Sequence, residues 1–250
     1  MSTIGIAATH LKYSLIETAR VPMAIIGALV FPAISLLFFV VPQAAIAEDP
    51  RLATHAVIAV SIFAVMAGCL FNVGLDLAER REGAWDPYLR TMPVPGLARV
   101  LAHGARVLII AIAAVLPVLA IGALLTAAEA SAAGTVAGLG MLVLTAVPFV
   151  LLGTVIGYGL PPKAAIPVIM VAMMSLAFGG GLFLPPQLFP SWLADASAFL
   201  PTRQARELVI WAVQGGELAW WAPIGVLAWS GALLLVSVAL LRRDAGRRFR

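Results

Sequence analysis

Residues 130–162 read ASAAGTVAGLGMLVLTAVPFVLLGTVIGYGLPP, a run of 33 residues without an Asp, Glu, Lys or Arg. A bilayer core about 30 Å thick is crossed by roughly 20 helical residues, so this run is long enough for one crossing and too short for two. Backbone groups in lipid must be satisfied within a helix or a closed barrel, and the run lacks the alternating pattern of barrel strands. It therefore predicts a transmembrane helix at about residues 135–158.

Five further charge-free runs are long enough to cross a bilayer, and they predict spans at about residues 22–42, 53–75, 102–126, 164–184 and 219–241. The composition agrees, since 62% of the residues are hydrophobic and 11% are charged, whereas a soluble domain has about 25% charged residues. The mean hydropathy is +1.03. The sequence thus predicts an all-α integral membrane protein with six transmembrane helices, forming a single domain over residues 1–250.

The distribution of Lys and Arg predicts the orientation. If both termini are cytoplasmic, all but three of the 16 basic residues lie on the inside, and the exceptions are Arg51, Arg203 and Arg206. Basic residues accumulate in cytoplasmic loops of membrane proteins. The same clustering between apolar runs argues against nucleic-acid binding, which needs a basic groove or a recognition fold.

Several function classes lack their sequence signals. No Asp, Glu, Lys or Arg lies near the centre of a span, which disfavours proton- or ion-coupled carriers and ion-selective channels. His10, His55 and His103 are scattered without metal-ligand spacing, so no metal site is predicted. Neither Lys12 nor Lys163 follows a glycine as in a phosphate-binding loop, so any ATP must be bound by another polypeptide.

The densest internal charge cluster follows the second predicted span, where residues 76–95 read DLAERREGAWDPYLRTMPVP. Glu79 and Glu82 are three positions apart and share a helix face. Apolar residues then recur at helical spacing in Trp85, Tyr88, Leu89 and Met92. The segment is either a solvated loop with an interfacial helix or a docking helix for a cytoplasmic partner.

Two stretches resemble ABC-2-type permeases, the membrane subunits of type V ABC exporters. The first is Glu79-Arg80-Arg81-Glu82-Gly83 with Leu89-Arg90-Thr91-Met92-Pro93 after it. The second is Leu184-Pro185-Pro186-Gln187-Leu188-Phe189-Pro190-Ser191-Trp192-Leu193 followed by Phe199-Leu200-Pro201. The chain departs from the family pattern at Ala84, where threonine is usual, and at Pro87.

The resemblance implies a non-catalytic subunit in a bacterial cytoplasmic membrane. Two cytoplasmic ATPase subunits would bind ATP and Mg, with no cofactor on this chain, and a second permease subunit, identical or related, would complete the pathway. The residues implied to contact the ATPase through a cytoplasmic coupling helix are Glu79, Arg80, Arg81, Glu82, Gly83, Leu89 and Arg90.

Two further amphipathic segments fit this layout. Residues 185–217 predict an extracellular helical hairpin between spans five and six, which dips into the outer leaflet with Arg203, Arg206 and Glu207 at its wet end. The N-terminal stretch predicts an amphipathic helix on the inner leaflet, where Lys12 and Arg20 suit anionic lipid headgroups.

The cargo is predicted from the side chains of spans two and five. Methionines make adaptable apolar surfaces that suit varied hydrophobic ligands. The candidate pathway residues are Phe63, Met66, Phe71, Asn72, Met170, Met173, Met174 and Phe178. They favour export of a hydrophobic or amphipathic, drug-like small molecule. A lipid or glycolipid exporter, and a non-transporting membrane anchor for a signalling or assembly ATPase, stay open as alternatives.

Overall fold

The structure is a computed structural model that describes residues 3–20, 22–82 and 96–247, and all regular elements within these ranges are helical. In chain order they are α1 (Thr3–Ala19), α2 (Pro22–Phe39), α3 (Ala44–Ala47), α4 (Pro50–Cys69), a π-helix (Leu70–Leu75), α5 (Asp76–Glu82), α6 (Gly96–Leu125), α7 (Ala132–Thr145), α8 (Val147–Gly159), α9 (Pro162–Gly179), a short 3-10 helix (Pro186–Leu188), α10 (Ser191–Ser197), α11 (Pro201–Gln214) and α12 (Trp221–Arg247). The predicted all-α fold is confirmed.

Five helical segments in the described part of the chain are long and apolar enough to cross a membrane: Pro50–Glu82, His103–Leu125, Ala132–Gly159, Pro162–Gly179 and Trp221–Asp244. They match the second to sixth predicted spans, and they make the chain a multi-pass membrane protein. The first predicted span coincides with α2. The described apolar part of α2, Leu29–Phe39, is shorter than the five segments that could cross a membrane. A membrane crossing by the first predicted span therefore stays a prediction.

The helix boundaries refine the predicted spans. The fourth span is divided between α7 and α8, and Pro148 lies in the first turn of α8, where a missing N–H costs no helical hydrogen bond. The fifth ends at Gly179 rather than near residue 184. The chain turns at Gly181, whose φ of 76° and contact with the Pro186 ring exclude a Cβ.

Helix α4 lies at the centre of the fold. In the segment Pro50–Glu82, 72% of an apolar stretch of 18 residues is buried inside the protein. In the segment Trp221–Asp244, only 11% of such a stretch is buried. Helices α2, α6, α8 and α11 all pack against α4. The largest fully buried side chains accordingly include Phe63, Met66 and Leu70 of the central segment.

The π-helix crosses α8 at very short range because glycines line the contact. A Cβ added to Gly157 would lie 2.8 Å from the carbonyl oxygen of Gly74, and one added to Gly153 would lie 3.1 Å from that of Cys69. Small residues let helix backbones approach closely in membranes. Asn72 of the π-helix donates through Nδ2 to the Gly68 carbonyl at 2.8 Å.

Helices occur where the sequence predicted the additional amphipathic segments. Helix α1 forms at the N-terminus and packs against α6. Helices α10 and α11 form the pair between the fifth and sixth spans. The placement of these helices relative to the two membrane surfaces stays a prediction.

Candidate functional sites

Asp76 is the centre of a charged cluster at the start of α5. Its Oδ1 accepts from Arg80 Nε at 2.8 Å, and its Oδ2 accepts from Arg106 Nη2 at 2.6 Å. His103 Nδ1 lies 3.8 Å from the same Oδ2. This carboxylate therefore joins α5 to the first turns of the third span. Sequence reasoning missed it, although Asp76 and Arg80 have the i, i+4 spacing of a helical ion pair.

Arg81 connects α5 to two other spans. Its Nη2 donates to Asp244 Oδ1 of α12 at 2.8 Å, and its Nη1 donates to the carbonyls of Gly157 and Tyr158 at 2.8 and 2.9 Å. The guanidinium carbon also lies 5.6 Å from the centre of the Tyr158 ring. The last carbonyls of a helix lack helical partners, and basic side chains commonly satisfy them. Arg81, a predicted partner-coupling residue, thus points into the protein.

Glu79 and Glu82 present the opposite arrangement. Both are exposed, and neither forms an ion pair with another residue that the structure describes. The remaining predicted coupling residues, Gly83, Leu89 and Arg90, lie outside the described ranges. The described part of the predicted coupling site therefore consists of two exposed carboxylates and two arginines that bind within the chain.

The predicted pathway residues differ in their exposure. Phe63, Met66 and Met173 are buried, Phe71, Asn72 and Met174 are half-buried, and Met170 and Phe178 are exposed. Phe183 connects two of them, because its ring centre lies 4.9 Å from that of Phe63 and 5.1 Å from that of Phe178. Sequence spacing could not reveal this aromatic cluster, since Phe183 follows the end of α9.

Helix α11 is enclosed by α4, α7 and α12. Thr202 Oγ1 donates to the Leu176 carbonyl at 2.7 Å, so α11 begins beside the end of α9. Gln214 Oε1 at the other end lies 3.0 Å from His55 Nε2 of α4. The hairpin was predicted to place Arg203, Arg206 and Glu207 at a wet end, but only 4% of Arg206 is exposed.

The burial of Arg206 corrects that prediction, and its physical reason is local charge pairing. Arg206 and Arg203 both lie 3.2 Å from Glu207 Oε1, and the carboxylate partly compensates for lost hydration. Burial lowers the pKa of both arginines from their ordinary value, while attraction to Glu207 acts in the opposite direction. Both guanidinium groups are cationic at neutral pH.

A cavity of about 240 Å³ lies among α4, α6, α7 and α11. Its walls are mainly apolar, and they include Ile58, Leu119, Leu142 and Val209. The hydroxyl of Ser61, which also borders the cavity, donates to the Val57 carbonyl at 2.7 Å. Within the ranges that the structure describes, no three His, Cys, Asp or Glu side chains lie together in a way that could hold a metal ion.

Comparison with known proteins extends along nearly the whole chain. The Bacillus subtilis (strain 168) protein named "Putative transport permease YvfS" is 22% identical over 238 residues, which cover 93% of this chain and 97% of that protein. The chain is thus similar along most of its length to a protein whose name describes a putative transport permease. This relationship is consistent with the resemblance to ABC-2-type permeases, although no protein-family model matches the chain.

Proposed function

We propose that this chain is the membrane subunit of an ATP-driven ABC-2-type exporter. It would move a hydrophobic or amphipathic small molecule out across a bacterial cytoplasmic membrane, with both of its termini on the cytoplasmic side. The observation that carries the proposal is similarity to a transport permease over 93% of the chain. The exposed carboxylates at the end of the segment Pro50–Glu82 support a docking partner at that position.

The mechanism follows from the contacts of α5. An ATPase subunit with basic groups would bind Glu79 and Glu82, and its movement on ATP binding would displace α5. Arg81 would carry the displacement to α8 and α12, because it binds carbonyls of one and a carboxylate of the other. Asp76 would carry it to α6 through Arg106. This chain performs no covalent chemistry in the proposal, and ATP and Mg are bound by the partner.

The assembly would contain two permease subunits, identical or related, above two ATPase subunits. The apolar side chains that face outward on α9, such as Met170 and Phe178, are available to a neighbouring subunit or to cargo. Methionine side chains such as Met170 are flexible, and they form apolar surfaces that accept varied ligands. A lipid or glycolipid as cargo, and an anchor that transports nothing, remain the alternatives of the proposal.

Reconstitution tests this function. The chain and a candidate ABC ATPase subunit are co-expressed, purified together and placed in lipid vesicles with a fluorescent amphipathic probe. We expect ATP-dependent movement of the probe and no ATP hydrolysis by the permease alone. Movement driven by a proton gradient without nucleotide would contradict the proposal. An ATPase that assembles and hydrolyses ATP, with no movement of amphiphile or lipid, would favour the anchor.

A further inference from the structure

The first turns of α11 contain two arginines and one carboxylate in direct contact. Arg203 Nη2 and Arg206 Nη1 lie at the same distance, 3.2 Å, from one oxygen of Glu207. The two guanidinium groups carry two positive charges, and Glu207 supplies one negative charge. The cluster therefore has an excess positive charge.

This cluster is largely withdrawn from solvent. The exposed fraction of the side chain is 5% for Arg206, 18% for Arg203 and 23% for Glu207. Three nitrogen atoms, Nε of both arginines and Nη1 of Arg203, are buried and have no hydrogen-bond partner among the described residues. A buried cation with unused donors is costly unless an anion or acceptor completes its contacts.

The cluster lies beside α4, which belongs to a predicted span. Helix α11 ends next to His55, and the segment that precedes it contacts Phe63 through Phe183. His55 and Phe63 are separated by about 12 Å along α4 at the helical rise of 1.5 Å per residue. Ionisable side chains inside the membrane-spanning part of a protein are rare and commonly mark a ligand or ion pathway. Helix α11 is not one of the five candidate spans, but it packs against one of them.

The neighbouring turn of α11 is apolar. Val209 is three positions after Arg206, so the two residues lie on the same side of the helix. Val209 also lines the cavity of about 240 Å³ between α4, α6, α7 and α11. Arg203, Arg206 and Glu207 do not border the cavity themselves, so the charged cluster lies about one helical turn from the apolar walls. A molecule with an anionic group and an apolar chain could span that separation.

We propose that Arg203 and Arg206 bind the oxyanion of an amphipathic molecule, either a carboxylate or a phosphate. Guanidinium groups present planar, forked donors that match these oxyanions. Glu207 occupies the two arginines when no ligand is bound, and the ligand competes with it. The inference rests on the proposed function, because it assigns the charge class of the cargo.

Three substitutions distinguish this binding role from a structural one by the direction in which each changes the affinity for the oxyanion. Arg203→Gln and Arg206→Gln each remove a cation and weaken oxyanion binding, whereas Glu207→Gln removes the competing anion and strengthens it. If the cluster only held the fold together, all three substitutions would lower stability, and none would strengthen binding. Arg243→Gln is the matched control, because Arg243 is an exposed arginine of α12.

The experiment measures binding of radiolabelled dodecyl phosphate to the full-length chain in maltoside micelles, which contain no phosphate. No ATPase or nucleotide is present. We expect Arg203→Gln and Arg206→Gln to lower the affinity about tenfold, equivalent to about 1.4 kcal/mol. We expect no change for Arg243→Gln. Arg203→Gln keeps the test valid if Arg206→Gln does not fold, because Arg203 is the more exposed of the pair.

Competition identifies the source of the oxyanion. Displacement by unlabelled dodecyl phosphate, but not by inorganic phosphate, supports an amphiphile as the ligand. Equal displacement by inorganic phosphate supports the same site with a free ion as the ligand. Equal displacement by dodecyltrimethylammonium, or unchanged affinity in both arginine variants, overturns the proposal. Binding requires neither ATP nor transport, so this result and the test of export can fail independently.

Discussion

Arg81 and Asp244 are 163 positions apart in the chain, yet the Arg81 Nη2 atom lies 2.8 Å from the Asp244 Oδ1 atom. The exposed fractions of the two side chains are 24% and 9%, so the pair is mostly shielded from water. Arg81 also binds the final carbonyls of α8. Three helical segments therefore meet at the guanidinium group of one residue of α5, the helix that also carries the exposed Glu79 and Glu82.

Replacing Arg81 with alanine should strongly lower the free energy of unfolding. Removing one partner of a buried ion pair leaves the other charge uncompensated, at a cost of about 3–5 kcal/mol when burial is complete. We expect about 2 kcal/mol or more here, because the pair keeps some contact with water. Unfolding by a denaturing detergent, followed by circular dichroism, measures the change.

A charge exchange tests which contacts of Arg81 matter. The double variant Arg81→Asp with Asp244→Arg restores opposite charges but gives position 81 no donor for the α8 carbonyls. We expect the double variant to recover only part of the lost stability. Full recovery would show that the carbonyl contacts contribute little. Arg80→Ala is the control, and it should change the stability by no more than about 0.5 kcal/mol, since Arg80 is exposed and Asp76 keeps its ion pair with Arg106.

Glu79→Lys should abolish transport while leaving expression and membrane insertion normal. The exposed carboxylate would be replaced by a cation, which repels a basic docking partner at close range. Co-purification of the ATPase and transport of the amphipathic probe are the two measurements. Glu17→Lys, an equivalent change at an exposed glutamate of α1, should assemble and transport normally. Normal assembly and transport by Glu79→Lys would identify Glu79 as a solvated surface charge.

Gly157→Ala should destabilise the contact between α8 and the π-helix. The new Cβ would lie 2.8 Å from both the Gly74 carbonyl oxygen and Leu77 Cβ, so the two helices would have to separate. Overpacking of this kind typically costs about 1–3 kcal/mol. Gly140→Ala is the matched control, because a Cβ on Gly140 meets no atom within 4 Å. Equal thermal stability of the two variants would contradict this close packing.

Thiol labelling should establish the orientation. In a variant without Cys69, single cysteines at Ala132 or Asp195 should react with an impermeant reagent in intact cells. Cysteines at Lys163 or Arg243 should react only after permeabilisation. All four positions are exposed in the structure, so accessibility to the reagent reports the side of the membrane rather than burial. The reverse pattern would invert the predicted topology.

The helical spans were accessible to sequence reasoning because insertion into lipid depends on the local absence of charge. The contacts between spans were not, since they join residues far apart in the chain. Nothing in the sequence near Arg81 indicates that it faces Asp244, and Arg206 resembled a surface residue of an amphipathic helix. The π-helix was also missed, because it differs from an α-helix in its hydrogen-bond pattern, which the distribution of apolar and charged residues does not report.

The π-helix has a geometric consequence for the end of its segment. An α-helix advances by 100° for each residue, whereas a π-turn holds an additional residue within one turn. The direction in which α5 faces thus depends on the winding of Leu70–Leu75. If Leu70–Leu75 were wound as an α-helix with no residue removed, α5 would turn by about 100° relative to α4. Arg81 would then turn away from Asp244, and Glu79 and Glu82 would face a different side of the segment.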